Sequence, residues 1–209
     1  MIRGIGIIPF IILNIISSYA QDAETLFQRG NSLSVDGKYK EALIYVDSSL
    51  NIDSSLYQRY FFRAELKCNL GMIEDAIRDV SRCIDKCNCS TRKLHVSSYY
   101  LKRAELQYSL NNQLSSMNDV NQSITYNPKN WEAYNFRSIL FIDSGQIQFA
   151  LADLNKSYLI NDNEATTLII RGKLKIATGD IEGACMDLSK VVDWGFSEIE
   201  PWISNNCKK

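Results

Sequence analysis

WEAYNFRSILFIDSGQIQFALADLNKSYLI, residues 131–160, holds two amphipathic segments broken once. In the first, Tyr134, Ser138 and Phe141 recur at helical spacing, and in the second Ala150, Leu151, Leu154 and Tyr158 do so. The pattern predicts one helix from Trp131 to Asp143 and another from Ile147 to Ile160. Gly145 stands between them, where a left-handed backbone ends a helix at little steric cost. Outward from this hairpin the same landmarks return. Arg followed by a small residue occurs at Arg29-Gly30, Arg63-Ala64, Arg103-Ala104, Arg137-Ser138 and Arg171-Gly172, at intervals of 34, 40, 34 and 34 residues. A second series, Ala42, Ala76, Ser116, Ala150 and Ala184, keeps the beat, and Gly37, Gly71, Asn111, Gly145 and Gly179 mark the turns. Three series in phase define a tandem repeat whose units start at residues 23, 57, 97, 131 and 165. Each unit buries an apolar face only against a neighbour, so the expected fold is all-α, five helix-turn-helix units in a solenoid over residues 23–196.

These landmarks resemble the tetratricopeptide repeat (TPR). The fourth position of each unit is Leu26, Tyr60, Tyr100, Tyr134 and Leu168, and the twenty-fourth is Val46, Val80, Val120, Leu154 and Leu188. The closing Pro survives only as Pro128, and position eleven is Lys67, Gln107 and Lys175 where the family favours an aromatic. The resemblance implies a right-handed α-solenoid and a non-catalytic module that binds another protein or a peptide. The run from Gly183-Ala184-Cys185 through Asp187, Lys190 and Gly195 to Cys207 is similar to the closing segment of short exported repeat proteins of Bacteroidota-type bacteria.

One departure from the general pattern is charged. Position seven is Arg in all five units and position twenty-three is Asp in four, giving Arg63 and Asp79, Arg103 and Asp119, Arg137 and Asp153, and Arg171 and Asp187, whereas the first unit has Tyr45. In an antiparallel hairpin the two positions lie at one height, so each Arg can reach an Asp on its own second helix or on the adjoining unit. A guanidinium forms bidentate pairs with carboxylates, and a repeated pair fixes the register of a helix stack. An anion-binding ladder is the functional alternative.

The first twenty residues follow another pattern. Met1-Ile2-Arg3 is basic, Ile5 to Ile16 is nearly all apolar, and Ser18-Tyr19-Ala20 presents small residues where a signal peptidase reads them. Residues 1–20 are therefore expected to be a secretory signal, with Gln21 first in an exported, periplasmic or secreted, chain and no membrane span after cleavage. Without Arg3 the balance becomes 22 basic against 24 acidic residues, near minus two, which offers no electrostatic footprint for nucleic acid. Six cysteines in an oxidising compartment suggest disulfides. If residues 197–209 fold back as a capping helix, Cys185 and Cys207 lie at a similar distance from the intervening turn and can pair. Ser197 is placed to cap that helix, with Ile199, Trp202 and Ile203 as its apolar stripe. Cys83, Cys87 and Cys89 with His95 admit a local disulfide, free thiols or a zinc site of unfamiliar spacing, and Cys68 is left unpaired. No metal and no cofactor is assigned.

Catalytic chemistry has little to work with. His95 is the only histidine, which leaves a His-based triad without support, and no phosphate-binding glycine loop occurs. Glu65 and Glu105, both at position nine, form the one paired-carboxylate arrangement, read as solvated face residues. Asn88-Cys-Ser, Asn121-Gln-Ser and Asn155-Lys-Ser fit a glycosylation sequon, two of them inside expected helices. The resemblance places a partner-binding concave face on the first helices, at Phe27, Asn31, Phe61, Glu65, Leu101, Glu105, Tyr108, Asn135, Ile139, Ile142, Ile169, Lys173 and Ile176. Phe27, Phe61 and Leu101 at position five do not suit a carboxylate clamp, so the expected partner is a segment with large apolar side chains and a Lys or Arg. A structural subunit docked permanently in an envelope complex is the alternative, and a small enzyme with an unrecognised site a remote one.

Overall fold

The computed structural model describes residues 7–87 and 92–207, and among them the chain forms eleven α-helices, one 3-10 turn and no strand. The start of the apolar leader and Cys89 lie outside the described residues. Two compact units, Met1–Asn112 and Gln113–Lys209, divide the chain within the turn of the third repeat.

The first unit contains α1 (Ile7–Val35), α2 (Tyr39–Ile52), α3 (Tyr57–Asn69), α4 (Ile73–Lys86) and α5 (Lys93–Ser109). The second contains α6 (Gln113–Tyr126), α7 (Trp131–Asp143), α8 (Ile147–Ile160), α9 (Ala165–Ala177), α10 (Ile181–Asp193), a 3-10 turn at Ser197–Ile199 and α11 (Glu200–Asn206). Bounds of α7 and α8 coincide with those read from side-chain periodicity. Helix α1 continues N-terminally past Ala23, through Ala20 and Gln21, for 29 residues in all. No described helix is long and apolar enough to cross a membrane.

The turn series has the conformation its residues suggest. Asn111 adopts φ 60° and Gly37, Gly71, Gly145 and Gly179 lie between 72° and 85°. The small-residue series is fully enclosed: Ala42, Ala76, Ser116, Ala150 and Ala184 expose none of their surface, and neither do Ala64, Ala104 and Ser138. Val46, Val80, Val120 and Leu154 complete this periodic core. Close approach explains the size limit, because a Cβ at Gly172 would lie 2.7 Å from Leu188 Cδ2.

Six extra residues in the second interval have a visible use. Four of them, Lys93 to Val96, prolong α5 at its N-terminus, making it 17 residues against 13 in α3, α7 and α9. At the other end of the chain, the expected single cap is divided. Ser197 opens the 3-10 turn and does not cap α11, which starts with Pro201 in its first turn and has no side-chain cap. Proline lacks the amide proton that a first helical turn leaves unpaired in any case. Ile199, Trp202 and Ile203 are half-buried there. Cys185 and Cys207 form a disulfide with Cα atoms 5.7 Å apart, tying α11 to α10.

Candidate partner-binding face

The arginine series determines how the first helices are held. Arg63 donates from Nε and Nη2 to the two carboxylate oxygens of Asp79, at 2.7 and 2.5 Å. Arg137 does the same to Asp153 at 2.7 and 2.8 Å, and Arg171 to Asp187 at 2.8 and 2.6 Å. In each case the remaining nitrogen, Nη1, reaches back to the preceding second helix, from Arg63 to Asp47, Arg137 to Asn121 and Arg171 to Asn155. Arg103 donates to Ser81 in the same way. One guanidinium thus joins two second helices, and its planar fork makes three directed bonds at once. Asp79 and Asp187 are shared further by Lys67 and Lys175. With their anions supplied internally, Arg63, Arg137 and Arg171 are occupied as register devices, which accounts for them without a ligand.

A second series was concealed in the sequon matches. Position twenty-seven is Ser49, Cys83, Ser123, Ser157 and Val191. Ser49 donates to the Ala23 carbonyl at 2.7 Å, Cys83 to Tyr57 at 3.2 Å and Ser157 to Trp131 at 3.1 Å, each tying a second helix to the first residue of its own repeat. Asn155-Lys-Ser is therefore a pair of packing positions, twenty-five and twenty-seven. Cys83 fills a serine's place, and burial pushes its thiol up to about 12. Among the described residues no three His, Cys, Asp or Glu side chains gather to hold a metal, and His95 is exposed in the first turn of α5.

In the first unit, Phe27 is half-buried, with its ring edge-on to Phe62 at 5.4 Å and beneath the Arg59 guanidinium. Phe61 is half-buried against Tyr99, ring centroids 4.9 Å apart. Asn31, Glu65 and Glu105 are exposed and Tyr108 is half-buried. Burial raises the Glu65 carboxyl above its ordinary range, opposed by the charge of Lys102. Leu101 is 6% exposed and is withdrawn from the partner face. A leucine gains about 1.5–3 kcal/mol by leaving water, and here that burial decides its place.

In the second unit, Ile139, Ile169 and Ile176 are half-buried and Lys173 is exposed. Ile142 packs against the core group of Ala150, Leu154 and Leu174, so much of its side chain serves the hairpin. Asn135 is also withdrawn: it is 7% exposed, and its Nδ2 donates to Thr167 Oγ1 at 2.7 Å, joining α7 to α9. That bond satisfies the buried amide nitrogen, while Oδ1 is buried without a hydrogen-bond partner among the described residues. Arg59, which the periodicity did not single out, lies 2% exposed in the first unit, where it bonds Glu24 on α1 and Asp53.

No protein-family model matches the sequence, and no curated protein matches it. Solved structures do. MamA from Desulfovibrio magneticus RS-1 is similar at TM-score 0.69 and 13% identity, over 82% of this chain and 94% of that one. A tetratricopeptide repeat protein from Parabacteroides merdae is similar at TM-score 0.69 and 16% identity, over 83% and 66%. YrrB, described as a TPR protein with an unusual peptide-binding site, is similar at TM-score 0.62 and 17% identity, over 87% and 90%. Together with the in-phase turns, small-residue contacts and paired helices, these likenesses give this chain the fold of the tetratricopeptide repeat proteins.

Proposed function

We propose that the protein is a non-catalytic module that binds a segment of another protein along its first helices, and that it works after export across a membrane. One observation carries the binding reading. On α1, α3, α7 and α9 the half-buried side chains Phe27, Phe61, Ile139, Ile169 and Ile176 follow the repeat, each offering apolar surface that a partner's large side chains would remove from water. Two cavities among the described residues lie away from these side chains. One of about 290 Å³ is lined by Gly37 to Glu41 and Leu70, and one of about 370 Å³ by Ile181, Glu182, Cys185 and Asn206. The ligand we propose is an extended strand or a helix laid along the first helices.

Replacing Phe61 and Ile139 together by Ala removes one apolar contact from each unit. Capture of the native partner should weaken about tenfold or more, with the helical circular dichroism retained at the temperature of the assay. Equal capture by the folded double variant places the binding surface elsewhere.

A second reading, a subunit docked permanently in an envelope complex, has its own support. Ile44, Phe149, Leu159 and Met186 on second helices are 60–79% exposed, apolar surface that lies outside the first-helix face. Sedimentation of the purified chain separates the two: a stable monomer favours reversible peptide binding, and self-association abolished by Leu159→Lys favours the docked subunit.

A further inference from the structure

Helices α3 and α5 bring four titratable side chains into one electrostatic group. Glu65 and Cys68 lie three residues apart on α3, and Lys102 and Glu105 three apart on α5. Lys102 acts on the Glu65 carboxyl, and Lys102, Glu65 and Glu105 all act on the Cys68 thiol, which burial also holds in its protonated form. The two carboxylates are not equivalent. Glu105 holds Lys102 Nζ at 3.7 Å. Glu65 is exposed and makes no ion pair among the described residues. Four residues before it on the same helix stands Phe61, with its ring half-buried against Tyr99.

We propose that Glu65 and Phe61 read one cationic side chain, Lys or Arg, in the bound segment, while Lys102 keeps Glu105 from accepting a second. This rests on the peptide-binding reading above and adds the chemistry of one subsite to it. A carboxylate that lacks a paired cation gains more from an incoming ammonium or guanidinium than one already paired does. The ligand's aliphatic stem can lie along the Phe61 ring, leaving its charged head at Glu65. Two carboxylates against one lysine leave the group at minus one, so an acidic segment is repelled and a second cation finds Glu105 already neutralised. Lys102 is thus a built-in competitor, and its removal should widen the preference from one basic side chain to two.

The test pans a random linear peptide display library against the mature protein, Glu65→Gln and Lys102→Met, each checked for unchanged helicity. The wild-type pool should be enriched in Lys or Arg within a few residues of large apolar side chains. A synthetic peptide from that pool should bind Glu65→Gln about fivefold more weakly, and a version with norleucine or citrulline in place of its basic residue should bind both proteins alike. Lys102→Met should hold the basic peptide more tightly than wild type and enrich peptides with two basic residues, and unchanged affinity with an unchanged pool overturns the competitor role of Lys102. A wild-type pool rich in apolar but not basic residues, or equal binding by folded Glu65→Gln, overturns the cation subsite and leaves peptide binding standing. Failure of all three proteins to enrich any peptide over an uncoated surface overturns peptide binding and the subsite together.

Discussion

At Gly172 the packing leaves no room for a methyl group, because Leu188 Cδ2 and Cγ both lie 2.7 Å from where the Cβ would sit. Gly172→Ala is expected to cost about 1–3 kcal/mol by overpacking, read as a lower urea midpoint at constant m-value. Gly179→Ala makes an informative control. Nothing lies within 4 Å of its Cβ site, yet φ is +85°, so its loss comes from backbone strain alone and Gly179→Asn should recover part of it. Both roles could be read from the sequence, since residue size and turn propensity repeat in phase. The fates of Leu101 and Asn135 could not. Position five carries Phe27, Phe61, Leu101, Asn135 and Ile169, and only three-dimensional contact separates the half-buried members from the enclosed ones. Asn135 became a hydrogen-bond donor to Thr167, 32 residues away, a pairing no local pattern announces.

Between elements, directed polar bonds set the register that apolar packing alone would leave loose. Arg171 and Asp187 are each less than one-tenth exposed, and Lys175 Nζ lies 2.9 Å from the same carboxylate. Arg171→Met should therefore cost about 1.5–3 kcal/mol, less than the loss of an isolated buried pair because Lys175 still faces Asp187, and adding Asp187→Leu should cost less than the sum of the single changes in a double-mutant cycle. Loss that is only additive in the double variant would assign the cost to packing of the Arg stem. Helix α11 depends on a covalent tie, for none of its residues is buried. Replacing Cys185 and Cys207 by Ser is expected to lower stability by about 3 kcal/mol on the chain-entropy account and to speed amide exchange over residues 200–206. Unchanged exchange there would mean that α11 stays docked by its half-buried Trp202 and Ile203. The Arg and Asp columns stood out in the sequence because two charges recur at one spacing. The return bonds to Asp47, Ser81, Asn121 and Asn155 did not, because acid, hydroxyl and amide all serve as acceptors there and the column looks unrelated letter by letter.

For the molecule as a whole, the export proposal has a direct check. N-terminal sequencing of native protein should begin at Gln21, and mature material that retains Met1 overturns it. Residues 7–20 are helical and run into the first repeat without a break. The sequence by itself determined the repeat, its phase, the helix-turn-helix unit and the sites of the turns, because steric size, left-handed backbone preference and apolar periodicity act within one unit or between adjacent ones. Tertiary structure alone decided which first-helix side chains remain available to a partner, that one arginine spans two second helices, that Cys83 stands in for a serine, and that Glu65 and Glu105 differ. Those outcomes depend on what surrounds each side chain after residues far apart in the chain are brought together, and burial, counter-charge and hydrogen-bond partners exist only then.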